Sequence, residues 1–308
     1  RRRRAQRVSP PRGTFGGALR IRMATNTAMH AIRFLALLAA GASSGCVVVG
    51  HGPVESGSFE REFTVSTPFS LEVDTHSGSI TVRGEDADRA YVRAEIRAHE
   101  QWNLDDPRAR VADLESNPPV EYRDGRLRIG RRVGGKRLDG VSARYEIVVP
   151  LQSQVLATAH SGSVTVEDVA GPVKASSHSG GVRAARIAGD VEVSAHSGSL
   201  KVEDIGGAVR ASTHSGGHTV ERVGGAVRAT THAGAVRLHE IGGDVEARAH
   251  SGGVTLVQSA PAAASVRVHA GSIEVTTVAG AGYDFRAKSR SGSIRLPEDG
   301  VNATIVSR

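Results

Sequence analysis

Apolar and polar residues alternate in short runs that recur every 18 residues through the second half of the chain. Each period contains two runs with Val, Leu or Ala at every second position and Thr, Arg, Lys, Glu or Ser between them. Val164 and Val166 belong to one run, and Val173 and Ala175 belong to the next. Alternation with a period of two is typical of a strand with one buried face. Each repeat therefore predicts two half-buried strands.

Glycine marks the end of both runs. A His-Ser-Gly or His-Ala-Gly triplet opens each repeat, and a second Gly follows nine residues after the first. Because Gly adopts the positive φ that tight turns require, we expect a turn at each of these positions. The first-turn glycines are Gly162, Gly180, Gly198, Gly216, Gly234 and Gly252, and the second-turn glycines are Gly171, Gly189, Gly207, Gly225 and Gly243.

Stacking of the repeats explains how such short strands form a core. One coil of two strands buries little apolar surface alone, but successive coils align their Val residues in rows. The pattern predicts an all-β chain that folds as a flattened parallel β-solenoid with about 18 residues per coil. Residues 151–308 carry the regular repeats. Residues 58–150 are less regular but mostly β, with a helix or loop within 103–116, and we expect them to form an N-terminal β cap.

One residue per repeat is predicted to close the core at a corner. It precedes the second turn and is always Val or Ile, which suits a buried site between two sheets. The corner residues are Val169, Ile187, Ile205, Val223 and Ile241.

The order of these motifs is similar to that of a known family. Leu71-Glu72-Val73 leads into Ser77-Gly78-Ser79-Ile80-Thr81-Val82, residues 145–150 follow, and Ser-Gly-Ser-Val-Thr-Val and Gly-Gly-Ala-Val-Arg-Ala units then recur. Over residues 58–308 the chain resembles the bacterial family of unknown function labelled putative adhesin, which is related to the head domain of putative autotransporter adhesins. The resemblance implies an exported β-solenoid with an adhesive or envelope role and no catalytic residues to transfer. The recurrent His is a departure of this chain from the family.

The N-terminal residues predict export. Arg33 precedes an apolar run over 34–42, which is too short to span a bilayer, and Ser43-Ser44-Gly45-Cys46 follows. This order resembles a bacterial lipoprotein signal in which Cys46 becomes the lipid-modified first residue. Ser43 stands where such signals usually have Leu, so ordinary secretory cleavage is the alternative.

The export signal sets the predicted organisation of the chain. We assign 1–45 to an upstream extension plus signal peptide, 46–57 to a flexible tether and 58–308 to the solenoid. Val47 is not the Asp that retains lipoproteins at the inner membrane, which favours a lipid anchor in the outer membrane. The expected membrane contact is therefore the N-terminal lipid.

The distribution of charge along the chain decides whether nucleic acid is an expected partner. The chain has 308 residues, a formal charge of +7 and a pI of about 10.1, values that suggest nucleic acid. However, nine of the 39 basic residues and no acidic residue lie in the first 45, so the remaining 30 basic residues face 32 acidic ones. No nucleic-acid partner is expected. The only cysteine, Cys46, leaves no intramolecular disulfide.

Histidine is the most specific chemical feature. One imidazole per coil, at a strand spacing of about 4.8 Å, favours simple stacking of a duplicated turn residue, and no cofactor is expected. Weak binding of Zn²⁺, Cu²⁺ or Ni²⁺ by neighbouring imidazoles is the alternative. His76 is an earlier, isolated copy, and Arg290 replaces His in a later repeat. The candidate metal ligands are His160, His178, His196, His214, His232, His250 and His269.

The uniform recurrence of Ser, His and acidic residues argues against an enzyme, because catalysis needs one singular constellation in a pocket. We predict a non-catalytic binding scaffold that presents its polar faces to carbohydrate, cell wall or an envelope protein. A structural or envelope-stress regulatory lipoprotein without adhesion is one alternative. The other is a carbohydrate-active envelope enzyme, with a cleft in residues 102–139 or 280–284 where the period fails.

Overall fold

Two long sheets and one short helix make up the computed structural model, which describes residues 54–100, 106–131, 133, 138–277, 283–296 and 301–307. All of these residues belong to one compact unit, Val49–Arg308. In spatial order, sheet A consists of β1 (Val54–Thr64), β4 (Arg89–His99), β7 (Val141–Pro150), β3 (Ile80–Glu85), β9 (Val164–Glu167), β11 (Val182–Ile187), β13 (Leu200–Ile205), β15 (His218–Val223), β17 (Val236–Ile241), β19 (Val254–Gln258), β21 (Ile273–Thr276) and β23 (Ile294–Arg295).

Sheet B runs beside sheet A over the same rungs. It consists of β5 (Val120–Arg123), β6 (Arg126–Gly130), β2 (Ser70–Ser77), β8 (Gln154–Ser161), β10 (Val173–Ser179), β12 (Val191–Ser197), β14 (Val209–Ser215), β16 (Val227–Ala233), β18 (Val245–Ser251), β20 (Ala264–Ala270), β22 (Tyr283–Ser291) and β24 (Val301–Ser307). The helix α1 covers Pro107–Ser116. No helix in the described residues is long and apolar enough to cross a membrane.

The predicted 18-residue coil is confirmed. From β8 onward the chain alternates between the sheets, and each strand pairs in parallel with the equivalent strand of the next coil. Val173, for example, pairs with Val155 on one side and Val191 on the other. Buried and exposed positions alternate along each strand, and apolar residues occupy the buried ones, so the Val, Leu and Ala rows face a core between the sheets. Burial of these rows is the main force that holds the coils together.

The predicted corner residues are also confirmed as core. Val169, Ile187, Ile205, Val223 and Ile241 are each at most 2% exposed.

The N-terminal region continues both sheets. β2 pairs in parallel with β8, and β3 pairs in parallel with β9, so the first His-Ser-Gly turn is an in-register rung and not an isolated copy. Antiparallel strands then extend the stack: β4 lies between β1 and β7 in sheet A, and β5 pairs with β6 in sheet B. Of the helix or loop expected within 103–116, the structure shows the helix α1, which packs on β1 and β4.

The predicted tether needs a correction at its end. β1 begins at Val54, which pairs with His99, and Gly57 pairs with Ile96. Residues 54–57 therefore belong to a strand that pairs with β4 and are not part of the tether. Residues 46–53, together with the leader and Cys46, lie outside the described residues.

The two turns differ from each other, and only the first follows the prediction. Gly162, Gly180, Gly216, Gly234 and Gly252 have φ between 131° and 155°, in the region that favours Gly. Close stacking is a second constraint, because a Cβ on any first-turn glycine, Gly198 included, would lie 1.8–2.2 Å from the carbonyl oxygen of the glycine one rung earlier.

At the second turn, the expectation of a positive φ at Gly is wrong. The left-handed residues there are not glycines but Asp168, Arg186, Asp204, Arg222 and Glu240, with φ of 54–62°. The second-turn glycines are required for another reason, since an added Cβ would lie 2.3–2.7 Å from backbone atoms of the preceding rung.

Candidate functional site

Eight histidines form a continuous stack, which we call the His ladder. Each His is the last outward residue before the first turn of its rung, and the parallel register places it directly against the His of the next rung. Adjacent ring centroids are 4.6–4.9 Å apart, and the ring planes differ by 2–9°. All eight residues are exposed. The ladder consists of His76, His160, His178, His196, His214, His232, His250 and His269.

Arginine lies at both ends of the His ladder. Nη1 of Arg131 donates to Nδ1 of His76 at 3.2 Å. At the other end, the pairing of β20 with β22 places Arg290 beside His269. A permanently charged Arg side chain therefore lies beside the terminal histidine at each end of the ladder.

A groove of about 490 Å³ runs beside the first rungs of the ladder. The histidines form one wall, and the residues two positions earlier in each strand form the other. That second row begins with one acidic residue, continues with five hydroxyl residues and ends with three basic residues. From rung to rung the row is Asp74, Thr158, Ser176, Ser194, Ser212, Thr230, Arg248, Arg267 and Lys288.

A second groove, of about 860 Å³, follows the first residues of the sheet B strands from Gln154 to Arg286. Apart from the histidines, basic residues outnumber acidic ones on this outer face. The basic residues include Arg123, Arg126, Arg128, Arg131, Lys174, Arg210, Arg228, Arg248, Arg267, Arg286, Lys288 and Arg290, and the acidic residues include Glu72, Asp74, Glu121, Asp190, Glu192, Asp244 and Glu246. The outer face of sheet B therefore carries more fixed positive charge than fixed negative charge.

The His ladder does not chelate a metal in the stacked arrangement. Parallel rings keep equivalent nitrogens about one rung apart, which exceeds twice the usual Zn–N distance of about 2.0–2.1 Å. No group of three or more His, Cys, Asp or Glu side chains converges as a metal site in the described part of the chain. Metal binding by His160 to His269 would need ring rotation and stays a prediction.

Sheet A carries a contrasting row, which we call the charge ladder: Asp168, Arg186, Asp204, Arg222 and Glu240. These are the left-handed residues next to the second turn, one per rung, and their sign alternates at each of the four steps. Arg186 binds Asp168 with two hydrogen bonds of 2.6 and 2.9 Å. Arg222 binds Asp204 in the same way, at 2.5 and 3.0 Å.

The charge ladder is stabilised by these pairs. The hydrogen bond from Arg186 lowers the pKa of the Asp168 carboxyl below its usual value, and that from Arg222 lowers the pKa of Asp204. Bidentate pairing of this kind is among the stronger surface interactions. It compensates in part for the strain of a positive φ at a residue with a Cβ.

One further histidine lies in the core. His218 is fully buried in sheet A, with Nε2 2.8 Å from Oγ1 of Thr213 and with Nδ1 buried without a hydrogen-bond partner in the described structure. Burial lowers its pKa from 6.5 to about 4. The sequence prediction missed His218, although the repeat signals it: Leu200 and Val236 occupy the same position in the neighbouring rungs.

The segments in which the enzyme hypothesis places a cleft lie partly outside the described residues, at 101–105, 132, 134–137 and 278–282. That hypothesis therefore stays untested by the fold.

The fold and its ladders define a parallel β-solenoid protein whose surface chemistry is repeated rung by rung. More specifically, the chain belongs to the Toastrack DUF4097 family, whose family model matches residues 66–306. This match confirms the family resemblance read from the sequence.

Three solved structures are similar to the chain. A putative lipid binding protein from Parabacteroides distasonis has 14% identity and a TM-score of 0.41, over 82% of this chain and 96% of the other. A putative adhesin from Bacteroides fragilis has 13% identity and a TM-score of 0.30, over 82% and 97%. A putative cell adhesion protein from Clostridium sporogenes has 10% identity and a TM-score of 0.29, over 72% and 100%. No curated protein matches the chain.

Proposed function

We propose that the protein is an exported, non-catalytic binding scaffold of the cell envelope, which holds an extended envelope polymer against the outer face of sheet B. The observation that carries this proposal is the in-register repetition of the same exposed side chains along eight rungs of that face. A surface that offers one contact set per rung suits a ligand that is itself repetitive, such as carbohydrate or cell wall. Many weak contacts to one chain add up through effective concentration.

The two grooves support a linear occupant. Both run across successive rungs, and the larger one is lined from Gln154 to Arg286. Its rim includes Arg210 and Arg286, two exposed basic residues that face outward from sheet B. Four acidic residues of the described chain also line this groove, and two of them, Glu192 and Glu246, form salt bridges with Lys174 and Arg228. An envelope polymer with anionic groups would contact Arg210 and Arg286, the other two basic residues of the lining.

Export and anchoring complete the proposal. Cys46 would carry the lipid that holds the scaffold at the outer membrane, with the residues before Val54 as the link to sheet A. Surface labelling of intact cells, combined with mass analysis of the processed N-terminus, tests this part. A mature N-terminus without lipid would reduce the proposal to an exported, unanchored scaffold.

The functional test compares the two faces. A strain without the gene is complemented with the parent, with Arg210→Glu/Arg286→Glu on sheet B, or with Arg237→Glu/Arg295→Glu on sheet A. All four residues are exposed, so each pair of changes adds the same charge at comparable sites. At pH 7.5 we expect cell attachment and retention of the protein on isolated cell-wall polymer to be lost in the sheet B variant only.

Two results would count against the scaffold. Unchanged attachment in the deletion strain, with increased sensitivity to envelope stress, would favour the structural or regulatory alternative. Equal loss in both variants would show that net charge matters and that sheet B does not.

Metal binding is kept as a separate, weaker proposal. Calorimetry with Zn²⁺ and Cu²⁺ should show a small heat that disappears when His178, His196 and His214 are replaced with Asn. If the heat is the same in this variant, the metal proposal is wrong and the scaffold proposal is unaffected.

A further inference from the structure

Basic residues cluster on the outer face of sheet B near its last strands. Because side chains alternate along a strand, β22 directs Arg286, Lys288 and Arg290 to the same exposed face. Parallel pairing places Arg267 of β20 beside Lys288, and Arg248 of β18 beside Arg267. All five side chains are exposed, and we call them together the basic patch.

Few acidic side chains compensate the basic patch. Glu246 contacts Arg248 and lies 4.0 Å from Arg267, but it also binds Arg228 at 2.5 Å. No carboxylate of the described residues forms a salt bridge with the three basic residues of β22. On the other side of β22, β24 contains no charged residue. The other acidic positions of this region stand nearer the second turn, at Asp244 and Asp284.

The basic patch differs from the charge ladder because residues of the same sign are neighbours. Arg248, Arg267 and Lys288 lie on three successive rungs, at a strand spacing of about 4.8 Å. These charges do not depend on pH in the neutral range, and like charges at this distance repel each other. An anion bound between two of them replaces repulsion with attraction, so the patch favours anions.

The shape of the basic patch indicates the kind of anion. From Arg286 to Arg290 it extends about 13 Å along the strand, and from Arg248 to Lys288 it extends about 10 Å across the rungs. Guanidinium groups donate pairs of hydrogen bonds to oxyanions. In the patch such donors surround a bound anion from neighbouring rungs and from the same strand. A tetrahedral phosphate has oxygens in several directions and suits these donors better than a planar carboxylate.

The basic patch also adjoins the larger groove of sheet B. Arg286 belongs to both, and the groove continues from it toward Gln154 over successive rungs. A linear chain that lies in the groove therefore reaches the patch at one end. A lipid headgroup or a single phosphate ion would occupy the patch and leave the groove unused.

We infer that the basic patch binds phosphate groups of a linear, phosphate-bearing polymer whose chain continues into the larger groove. This inference rests on the proposed function and specifies the charged group of its ligand. The two observations that carry it are the uncompensated cluster of permanent positive charges and its continuity with the groove.

The test measures binding of long-chain inorganic polyphosphate to the full-length protein in non-ionic detergent at pH 7.5. Poly-L-glutamate is the control polymer, because it carries carboxylates in place of phosphates. In 50 mM salt we expect polyphosphate to bind about tenfold more tightly, the effect of one additional charge-assisted hydrogen bond. The logarithm of its binding constant should decrease linearly with the logarithm of the salt concentration, since binding releases counterions.

A triple variant of the basic patch locates the site. Arg267→Gln/Lys288→Gln/Arg290→Gln should weaken polyphosphate binding about tenfold or more in 50 mM salt and reduce the salt slope by about 2–3. Removal of like charges should leave its Tm equal to or above that of the parent. Polyphosphate should raise the Tm of the parent but not that of this variant, because a ligand stabilises only the fold that binds it.

The matched control removes three exposed arginines from the outer face of sheet A. This variant, Arg97→Gln/Arg237→Gln/Arg295→Gln, loses the same net charge and should keep the affinity, the salt slope and the rise in Tm. Equal losses in the two triple variants would show that net charge alone attracts the polymer.

Three further results overturn the inference. The first is equal affinity for polyphosphate and poly-L-glutamate, which would remove the preference for phosphate. The second is competition by inorganic orthophosphate at the same total phosphate concentration, which would indicate a site for single ions. The third is binding of phosphatidylglycerol vesicles without binding of polyphosphate, which would assign the patch to a membrane surface.

The proposed function is judged separately from the phosphate site. Attachment that depends on sheet B, without polyphosphate binding at the basic patch, rejects only the phosphate site. Polyphosphate binding at the patch, without any effect of sheet B on attachment, rejects only the scaffold.

Discussion

The His ladder and the charge ladder both repeat one side chain per rung, but they arrange charge differently. In the charge ladder the sign alternates from Asp168 to Arg186 to Asp204 to Arg222, and neighbours form bidentate pairs. In the His ladder the same residue is repeated eight times at 4.6–4.9 Å. Two like unit charges about 4 Å apart repel by roughly 1 kcal/mol even in water.

The difference shows which polar residues a parallel solenoid can repeat. In-register stacking brings each side chain next to its own copies. In the charge ladder the alternating sign makes neighbouring side chains attract each other, but alternation is not required of every row, because Arg210 lies beside Arg228 and Arg248 lies beside Arg267. The His ladder instead repeats a residue that has no permanent charge.

The largest expected effect concerns the turn that sets the rung spacing of the His ladder. In Gly180→Ala the new Cβ would meet the carbonyl oxygen of Gly162 at 2.2 Å, at a φ of 155°. We expect a loss of about 3 kcal/mol or more in the free energy of unfolding, measured by urea denaturation. Gly181→Ala is the control, because its Cβ would be 3.3 Å from the nearest atom. Equal stability of the two variants would show that turn packing does not fix the ladder.

The second effect separates the buried histidine from the exposed ladder. The pKa of His218 is about 4 in the folded protein and near 6.5 when unfolded, so the unfolded chain gains a proton first as the pH falls. Stability from this site is complete above pH 6.5 and decreases toward pH 4, by up to roughly 3 kcal/mol. His218→Val should reduce this acid-dependent loss and should also stabilise the protein at pH 7.5, since it removes the unpaired Nδ1.

Denaturation of the parent and of His218→Val at pH 7.5 and 4.5 tests this prediction, with exposed His239→Asn as the control. Identical pH dependence in the parent and His218→Val would assign the acid sensitivity to other groups.

The third prediction concerns a substitution that gives three successive residues of the charge ladder the same negative charge. Arg186→Asp would place three carboxylates on successive rungs, from Asp168 to Asp204, and remove a bidentate pair. We expect a lower Tm, with most of the loss recovered in high salt because the side chains are partly exposed. Arg186→Gln removes the pair without adding a like charge and should lose less. If both variants lose the same Tm, alternation of sign does not stabilise this row.

The smallest effect makes the His ladder resemble the charge ladder. In His178→Glu/His214→Glu, carboxylates would alternate with histidines over five rungs. At pH 7.5 the new carboxylates are separated from each other by a neutral rung, so this variant should lose less Tm than His178→Glu/His196→Glu, in which two carboxylates lie on adjacent rungs. Thermal denaturation of both variants measures the difference. Equal Tm values in the two variants would show that the repulsion between adjacent rungs is too small to matter at this exposed row.

The repeat made the regular part of the fold predictable from sequence. Val, Gly and the corner Ile or Val recur at fixed positions, and each position has one physical role in every rung. The place of His76 was not predictable in this way, because β2 pairs with β8 only after the intervening strands and helix have been placed elsewhere.

The sequence predicted which residues form the candidate site but not how their side chains are arranged. The sequence indicated a row of imidazoles but not that their planes are parallel, which is what separates the nitrogens and disfavours chelation. The second turn was misjudged because Gly is the usual left-handed residue, whereas here Asp168 and Arg186 adopt that conformation and pair across rungs.

The alternation of the charge ladder also determines how the molecule can change in length. Removal of one 18-residue unit would preserve the backbone register but would bring Asp168 next to Asp204, whereas removal of 36 residues would preserve both register and sign. Inheritance by gene duplication would therefore favour steps of two rungs. The unit that preserves both register and sign is then a pair of coils, so the solenoid would change in length in increments of about 10 Å.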